Sequence, residues 1–318
     1  MNGRLERLEF HAMGTACAAA VTMTPADQPS ARRAGAAARG EVAACERVLS
    51  RFDPDSDLSR LNAAAGRWTP VDQRLLDALE LALRAREETG GRFDPTVLPA
   101  LVAAGYDRSF EQLVTRTPRR AEGWHAGSSI EVDRDAAQAR LEAGAAVDLG
   151  GIGKGYAAGR ALVAMRDAWP RLAGALVDLG GDIAVWGRPP EGGPWRIAVA
   201  DPLVAGRAAA TLAIRSGGVA TSGRNVRRFG PGASLHHLID PATGEPAGPG
   251  PVAVTVVAPE PAEAEAHATA LAMMTAHDAA AHVASHPQLS ALYVEHDGHM
   301  LRLGTLPVTE RHILVRAA

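Results

Sequence analysis

Residues 146–160 read AVDLGGIGKGYAAGR. Asp148 is followed by Gly150, Gly151, Gly153 and Gly155, with Lys154 among them, and a helical pattern begins at once, over about residues 154–169. Glycines let backbone N–H groups approach a ligand closely, and the helix would aim its positive N-terminal end at the same point. This is the make-up of an anion cradle, and phosphate is its natural guest. Two common phosphate loops do not fit. The P-loop would need Gly in place of Asp148 and Ser or Thr in place of Gly155, and the dinucleotide fingerprint fails because Gly155 and Tyr156 follow Gly153 too early. The glycines alone fit equally a strand-to-helix turn packed on a sheet.

The chain has 318 residues, enough for one large two-lobed unit or two small domains, and its 47% hydrophobic content suffices for a buried core. A net charge of -3 and a pI near 6.4 leave no basic footprint for nucleic acid and no polybasic membrane patch, so small molecules and proteins are the expected partners. Only Cys17 and Cys45 occur, which implies no disulfide framework and a reducing compartment. The first residues, MNGRLERLEFHAMGT, carry no apolar export region, cleavage site or lipid-attachment cysteine, and no run reaches the ~18 apolar residues of a membrane span. A cytoplasmic protein is expected.

Residues 5–24 read as a strand or hairpin interrupted at Met13-Gly14-Thr15, and residues 31–50 as a helix. The following RFDPDSDLSRLN carries Asp53, Asp55 and Asp57 but is no calcium loop: Leu58 stands where a glycine must turn and Ala64 where a glutamate must close the site. An Asx/Pro turn into a short helix is the reading. Residues 72–88 place Leu75, Leu76, Leu79 and Leu83 on one helical face, stopped by Gly90-Gly91, after which Phe93-Asp94-Pro95 makes a rigid turn. Residues 106–140 are polar and irregular, a variable excursion with a short hairpin. From residue 175 the chain is a series of strands closed by Gly or Pro, VAVTVVA is a buried strand, residues 259–276 are a helix, and Asp297-Gly298 turns a last hairpin. No repeat and no linker interrupts residues 1–318, so a single α+β domain is expected, with mixed and antiparallel sheets flanked by helices in two lobes.

Eight segments in order give the pattern a family likeness: MGT at Met13, LSRFDPDSDLSRLN at Leu49, GRFDPT at Gly91, DLGGIGKGYA at Asp148, VDLGGD at Val177, ATSG at Ala220, HLIDPATGEP at His237 and EAHATAL at Glu265. Together they resemble the ApbE family, the FAD:protein FMN transferases, from Met13 to about Leu303. The resemblance implies an enzyme that splits the pyrophosphate of FAD and passes FMN to a Thr or Ser hydroxyl of a target flavoprotein, releasing AMP, with Mg²⁺ in the site. Rival readings are an FAD pyrophosphatase, with water as acceptor, and a non-catalytic FAD-binding paralogue.

The residue types suit that chemistry. A pyrophosphate carries about two negative charges, so attack by a neutral hydroxyl needs charge neutralisation, a bridging metal and a proton acceptor. Glu265 and Thr269 stand four apart on one helix, offering a carboxylate and a hydroxyl to a single hard ion. The resemblance adds the carbonyls of Gly151 and Ala268, and it puts Met13, Phe52, Arg92, Phe93, Asp94, Asp148, Lys154 and Ile239 around FAD. Phe93 reads equally as a core aromatic or a ring platform, Asp148 as a ligand or a cap of the next turn, and Lys154 as a phosphate contact or a solvated lysine. His237 is the candidate proton handler, with a structural histidine as the alternative. Thr221 and Ser222 bind phosphate or close a turn. His282 and His286, one turn apart without an H-E-x-x-H pattern, read as a solvated helix face rather than a zinc pair. The chain departs from the family's usual residues at Glu265 for Asp, Phe52 for Tyr, Gly153 for Ala and Gly159 for Asp.

Overall fold

A computed structural model describes residues 3–113, 117–225, 228–311 and 315–317. Its first hairpin joins Arg4–Ala12 to Thr15–Met23 across Met13 and Gly14, whose φ angles are +52° and +67°. Two successive positive φ angles give the two-residue turn whose twist matches that of the flanking strands. Thr15–Met23 then pairs with Gly174–Leu179, which turns through Gly180-Gly181 into Asp182–Gly187. Gly217–Gly223, Ala253–Ala258, Ser290–Val294, Met300–Leu303 and Val315–Ala317 follow, giving nine strands, antiparallel except for the last pair. The α+β expectation holds.

Both faces of this sheet are covered, and the side chains divide by strand period. Ala184, Ala220, Val254, Val256 and Ala291 face the helices, whereas Val185, Val219, Leu292 and Val294 face a second, three-stranded sheet of Trp195–Ala200, Ala208–Ile214 and Val308–Arg311. Double coverage explains why AVTVVA is buried along nearly its whole length, and apolar but for Thr255, without alternation. The helix side is formed by Gln28–Leu49, Gln73–Glu88, Gly153–Ala168 and Pro261–Leu271. Glu41 ties three of these helices together, lying 2.9 Å from Arg74 and 3.1 Å from Arg160.

Pro261, at the start of the last of these helices, is seated against bare backbone. A Cβ at Gly155 would lie 2.4 Å from the Pro261 carbonyl oxygen, and one at Gly218 would lie 2.3 Å from the Pro261 Cα. No side chain fits at either position, so the glycine-rich helix, the Gly217–Gly223 strand and the Pro261–Leu271 helix approach one another at backbone distance.

Two expectations are corrected. The helix expected over residues 259–276 ends at Leu271, and a separate helix, Ala276–Ser285, starts at Thr275, whose hydroxyl accepts the Asp278 N–H. His282 and His286 do not form a solvated face. They are half-buried and stacked at 4.2 Å, and His282 Nε2 lies 3.0 Å from Nδ1 of the fully buried His267. Burial pushes the pKa of both His267 and His282 down to about 4. The 106–140 excursion does contain the expected hairpin, Ile130–Asp133 with Gln138–Leu141. Among the described residues no helix is long and apolar enough to cross a membrane.

Candidate active site

The glycine-rich stretch does meet a helix N-terminus, at Gly153, but the anion there belongs to the protein. The Gly155 N–H donates to Glu265 Oε2 at 2.7 Å, the Gly153 N–H to the Leu149 carbonyl and the Tyr156 N–H to the Ile152 carbonyl. A carboxylate at this position gains from the helix dipole as a phosphate would. The guest of the Gly155 amide is thus Glu265, a partner 110 residues away in sequence, and not a phosphate.

Glu265 is 3% exposed, and its other oxygen lies 2.7 Å from Lys154 Nζ. The same ammonium also bonds Asp182, itself 3% exposed, at the first position of the Asp182–Gly187 strand. One cation therefore sits between two buried carboxylates. Burial, and after it the charge of Asp182, push the Glu265 carboxyl above the ordinary carboxylate range, while Lys154 pulls it back. Burial alone would lower the Lys154 ammonium, but Asp182 and Glu265 hold it above its ordinary value. A turn further along the helix the Thr269 hydroxyl is 3.2 Å from that of Ser222, and a Cβ on Gly151 would lie 3.1 Å from Thr269 Oγ1.

These groups lie in the wall of a cavity of about 1170 Å³. Met13, Phe52, Phe93, Asp94, Asp148, Lys154, His237 and Ile239 all line it, as do Gly151, Glu265 and Thr269. Arg92 does not: its N–H returns to the Thr89 carbonyl in the turn that ends the preceding helix, one step short of the wall. Ala268 is also absent from the lining, fully buried, with its carbonyl accepting the Ala272 N–H.

The neighbours of several of these residues bear on the open readings. Asp148 caps its own turn through the Gly150 N–H at 2.8 Å, and its other oxygen meets Arg51 Nε at 2.6 Å. Asp94 accepts from the Thr96 N–H, the Thr96 hydroxyl and the Gly127 N–H. Both carboxylates thus shape the wall while their oxygens are engaged internally. Phe93 is 3% exposed and reaches the glycine loop, so it is a core aromatic with one edge on the cavity. Phe52 stands at 45% exposure under the Arg51 guanidinium, 4.1 Å from its ring centre. Met13 is held in its left-handed conformation by Glu46, which accepts its N–H at 2.6 Å. Thr221 bonds across the sheet to Thr255 at 2.8 Å.

Asp182, Arg51 and Glu46 were not singled out from sequence. Asp182 left a signal: it shares strand parity with Ala184, whose side chain faces the helix-side core, and an acid on the buried parity of an apolar strand needs a partner. The donors around Lys154 are oxygens with more negative than positive charge. Because the Gly155 N–H goes to Glu265, it does not close onto the Gly151 carbonyl, which stays outside the helix ladder. By type and charge this set fits a hard divalent cation such as Mg²⁺.

A profile of the ApbE family matches residues 13–293. The chain is 35% identical over 222 residues to the FAD:protein FMN transferase of Treponema pallidum, covering 64% of this chain and 60% of that protein. It is 30% identical over 236 residues to the protein of that name from Klebsiella pneumoniae, covering 71% and 67%. The ApbE protein of Thermotoga maritima superposes with a TM-score of 0.84 at 30% identity, over 94% of this chain and 97% of that one. The flavin transferase ApbE from Vibrio cholerae does so at 0.77 and 25%, over 93% and 96%. A match running through the first turn, the glycine loop and the Glu265 helix makes the chain a member of the ApbE family.

Proposed function

We propose that the chain transfers FMN from FAD to a Thr or Ser hydroxyl of a target flavoprotein and releases AMP. The observation that carries this is one cavity with two characters. Its volume of about 1170 Å³ exceeds the roughly 300–1,000 Å³ of most small-ligand pockets, which suits a dinucleotide-sized substrate. At one place the wall offers Lys154, Asp182, Glu265, Ser222 and Thr269, and elsewhere Met13, Phe52, Phe93 and Ile239 supply apolar faces for flavin and adenine rings. The relatives bearing the FAD:protein FMN transferase name support the same assignment.

In this reaction the acceptor hydroxyl oxygen attacks the phosphorus of the FMN half. A new P–O bond forms, the bridging P–O bond breaks, and AMP leaves with the electron pair. His237, on the cavity wall, takes the hydroxyl proton. Lys154 meets the negative charge that develops on the phosphoryl oxygens, and Asp182 fixes the ammonium for that task. Glu265, Thr269 and the carbonyls of Gly151 and Ala268 would hold Mg²⁺; the Ala268 oxygen keeps a second lone pair beside its helix bond. Bound there, the ion would neutralise pyrophosphate charge as a Lewis acid.

The test is to mix the protein with FAD and Mg²⁺, with and without an acceptor peptide, and to follow AMP and peptide mass. AMP formed only with acceptor, together with an FMN adduct, is expected. AMP in equal amount without acceptor replaces the transferase by a pyrophosphatase, and no AMP in either arm overturns the enzymatic proposal.

A further inference from the structure

On the far side of the Pro261–Leu271 helix, away from the cavity, lies a second cluster of ligand atoms. His267 stands two residues beyond Glu265, about 200° around the helix, and it does not line the cavity. Its ring is fully buried, and its Nε2 makes no hydrogen bond. That nitrogen lies 3.4 Å from an oxygen of Glu88, at the end of the Gln73–Glu88 helix, and the ring is grouped with a second carboxylate, Glu263, one turn earlier on the same helix as His267. One ligand atom from each of the three lies within 4.8 Å of the others. Among the described residues neither carboxylate is paired with a Lys or Arg; Glu263 accepts from the Gln288 amide at 3.1 Å, and Glu88 has only the imidazole.

We propose that His267, Glu88 and Glu263 form a second metal site, for a divalent transition ion of the Zn²⁺ type. A buried imidazole nitrogen without a hydrogen bond is costly, and among the described residues the two adjacent carboxylates lack a counter-charge. A cation between them answers both deficits. The other ring nitrogen supports the assignment, because Nδ1 lies 3.0 Å from His282 Nε2. With the proton on Nδ1 and donated to His282, the Nε2 lone pair points at the carboxylates, as in metal-ligating histidines whose second nitrogen is held by an outer partner. Mixed imidazole and carboxylate donors favour Zn²⁺, Mn²⁺ or Fe²⁺ over Ca²⁺ and Mg²⁺, which separates this site from the all-oxygen set around Glu265. Metal–ligand bonds of about 2.0–2.2 Å require the ligand atoms to close to about 3.5 Å. Glu88, whose side chain is 44% exposed, is free to make that movement. Such an ion would bridge the Gln73–Glu88 helix to the helix carrying Glu265 and Thr269.

The experiment is a Zn²⁺ titration of the chelator-treated full chain by calorimetry, in excess Mg²⁺ to saturate the hard-ligand site, with Co²⁺ absorption reporting coordination. Wild type and Glu265→Gln should each bind one equivalent of Zn²⁺, with a rise in the thermal midpoint. Glu88→Gln and Glu263→Gln, both outside the cavity wall, should bind it at least tenfold more weakly and lose the Co²⁺ bands. Unchanged Zn²⁺ affinity in both surface variants, or loss of all Zn²⁺ binding in Glu265→Gln, overturns the site.

Discussion

Replacing Lys154 with Met tests the buried charge arrangement most directly. The side chain is of similar length, so packing is nearly kept, but Asp182 and Glu265 are left facing each other without the ammonium that touches both. One ammonium bridges them, so their oxygens can be no more than about 5 Å apart, and at an effective dielectric near 20 two negative charges there repel by about 3 kcal/mol. Breaking a buried pair from one side typically costs about 3–5 kcal/mol. At about 2 cal/mol/K per residue of unfolding entropy, this corresponds to a fall in thermal midpoint of about 5–8 °C. One of the two carboxyls should retain a proton well above the ordinary carboxylate range. A raised folded-state value means that stability is fully present at low pH and lost as pH rises through that value. Because Glu265 is already raised to about 7 with Lys154 present, the deficit of the variant against wild type should grow as pH rises above about 7, and Mg²⁺ should raise the midpoint of the variant more than that of the wild type. The assay is thermal unfolding across pH with and without Mg²⁺. Equal midpoints, or a deficit independent of pH, would refute the charge arrangement.

The glycines of the loop should differ in what they tolerate. Gly155→Ala drives a Cβ into the Pro261 backbone and should cost about 3 kcal/mol, whereas the nearest atom to a Cβ at Gly153 is 3.8 Å away and Gly153→Ala should be neutral or stabilising by up to about 1 kcal/mol; urea unfolding of the two variants ranks them. Glu41→Ala should destabilise by about 2 kcal/mol through loss of its charged bonds to Arg74 and Arg160. The Arg74 guanidinium holds the Glu41 carboxyl below its usual 4.5, so this contribution is present above that pH and disappears as pH falls through the depressed value; wild-type and variant unfolding curves should converge in acid.

Local order was legible in the sequence, and long-range pairing was not. The Gly90-Gly91 stop, the hairpin at Asp297-Gly298 and the short helix after RFDPDSD follow from turn and cap chemistry that needs only a few neighbouring residues. Glu265 and Thr269 could be placed on one face because helical spacing is local, and both line the cavity. The cradle was misread for the opposite reason. Its amides have the right form for an anion, but the sequence around residue 155 carries no mark that Glu265 is the anion supplied. Asp148 reads locally as a cap or a ligand, and nothing near it in sequence marks Arg51, nearly a hundred positions earlier, as the partner of its second oxygen. Likewise His282 and His286 look solvated on their own helix, and only the arrival of His267 from another one buries them.

The seat of Pro261 carries a mechanical consequence. A helix whose first turn bears on two glycines has no soft side chains there to compress, and backbone contacts of this kind yield little. The glycine-loop helix, the Gly217–Gly223 strand and the Glu265 helix should therefore drift together in thermal motion. Lys154, Ser222 and Thr269 ride on those three pieces, one on each. Their mutual spacing should therefore vary less than their distances to Phe52, which stands 45% exposed on the same wall.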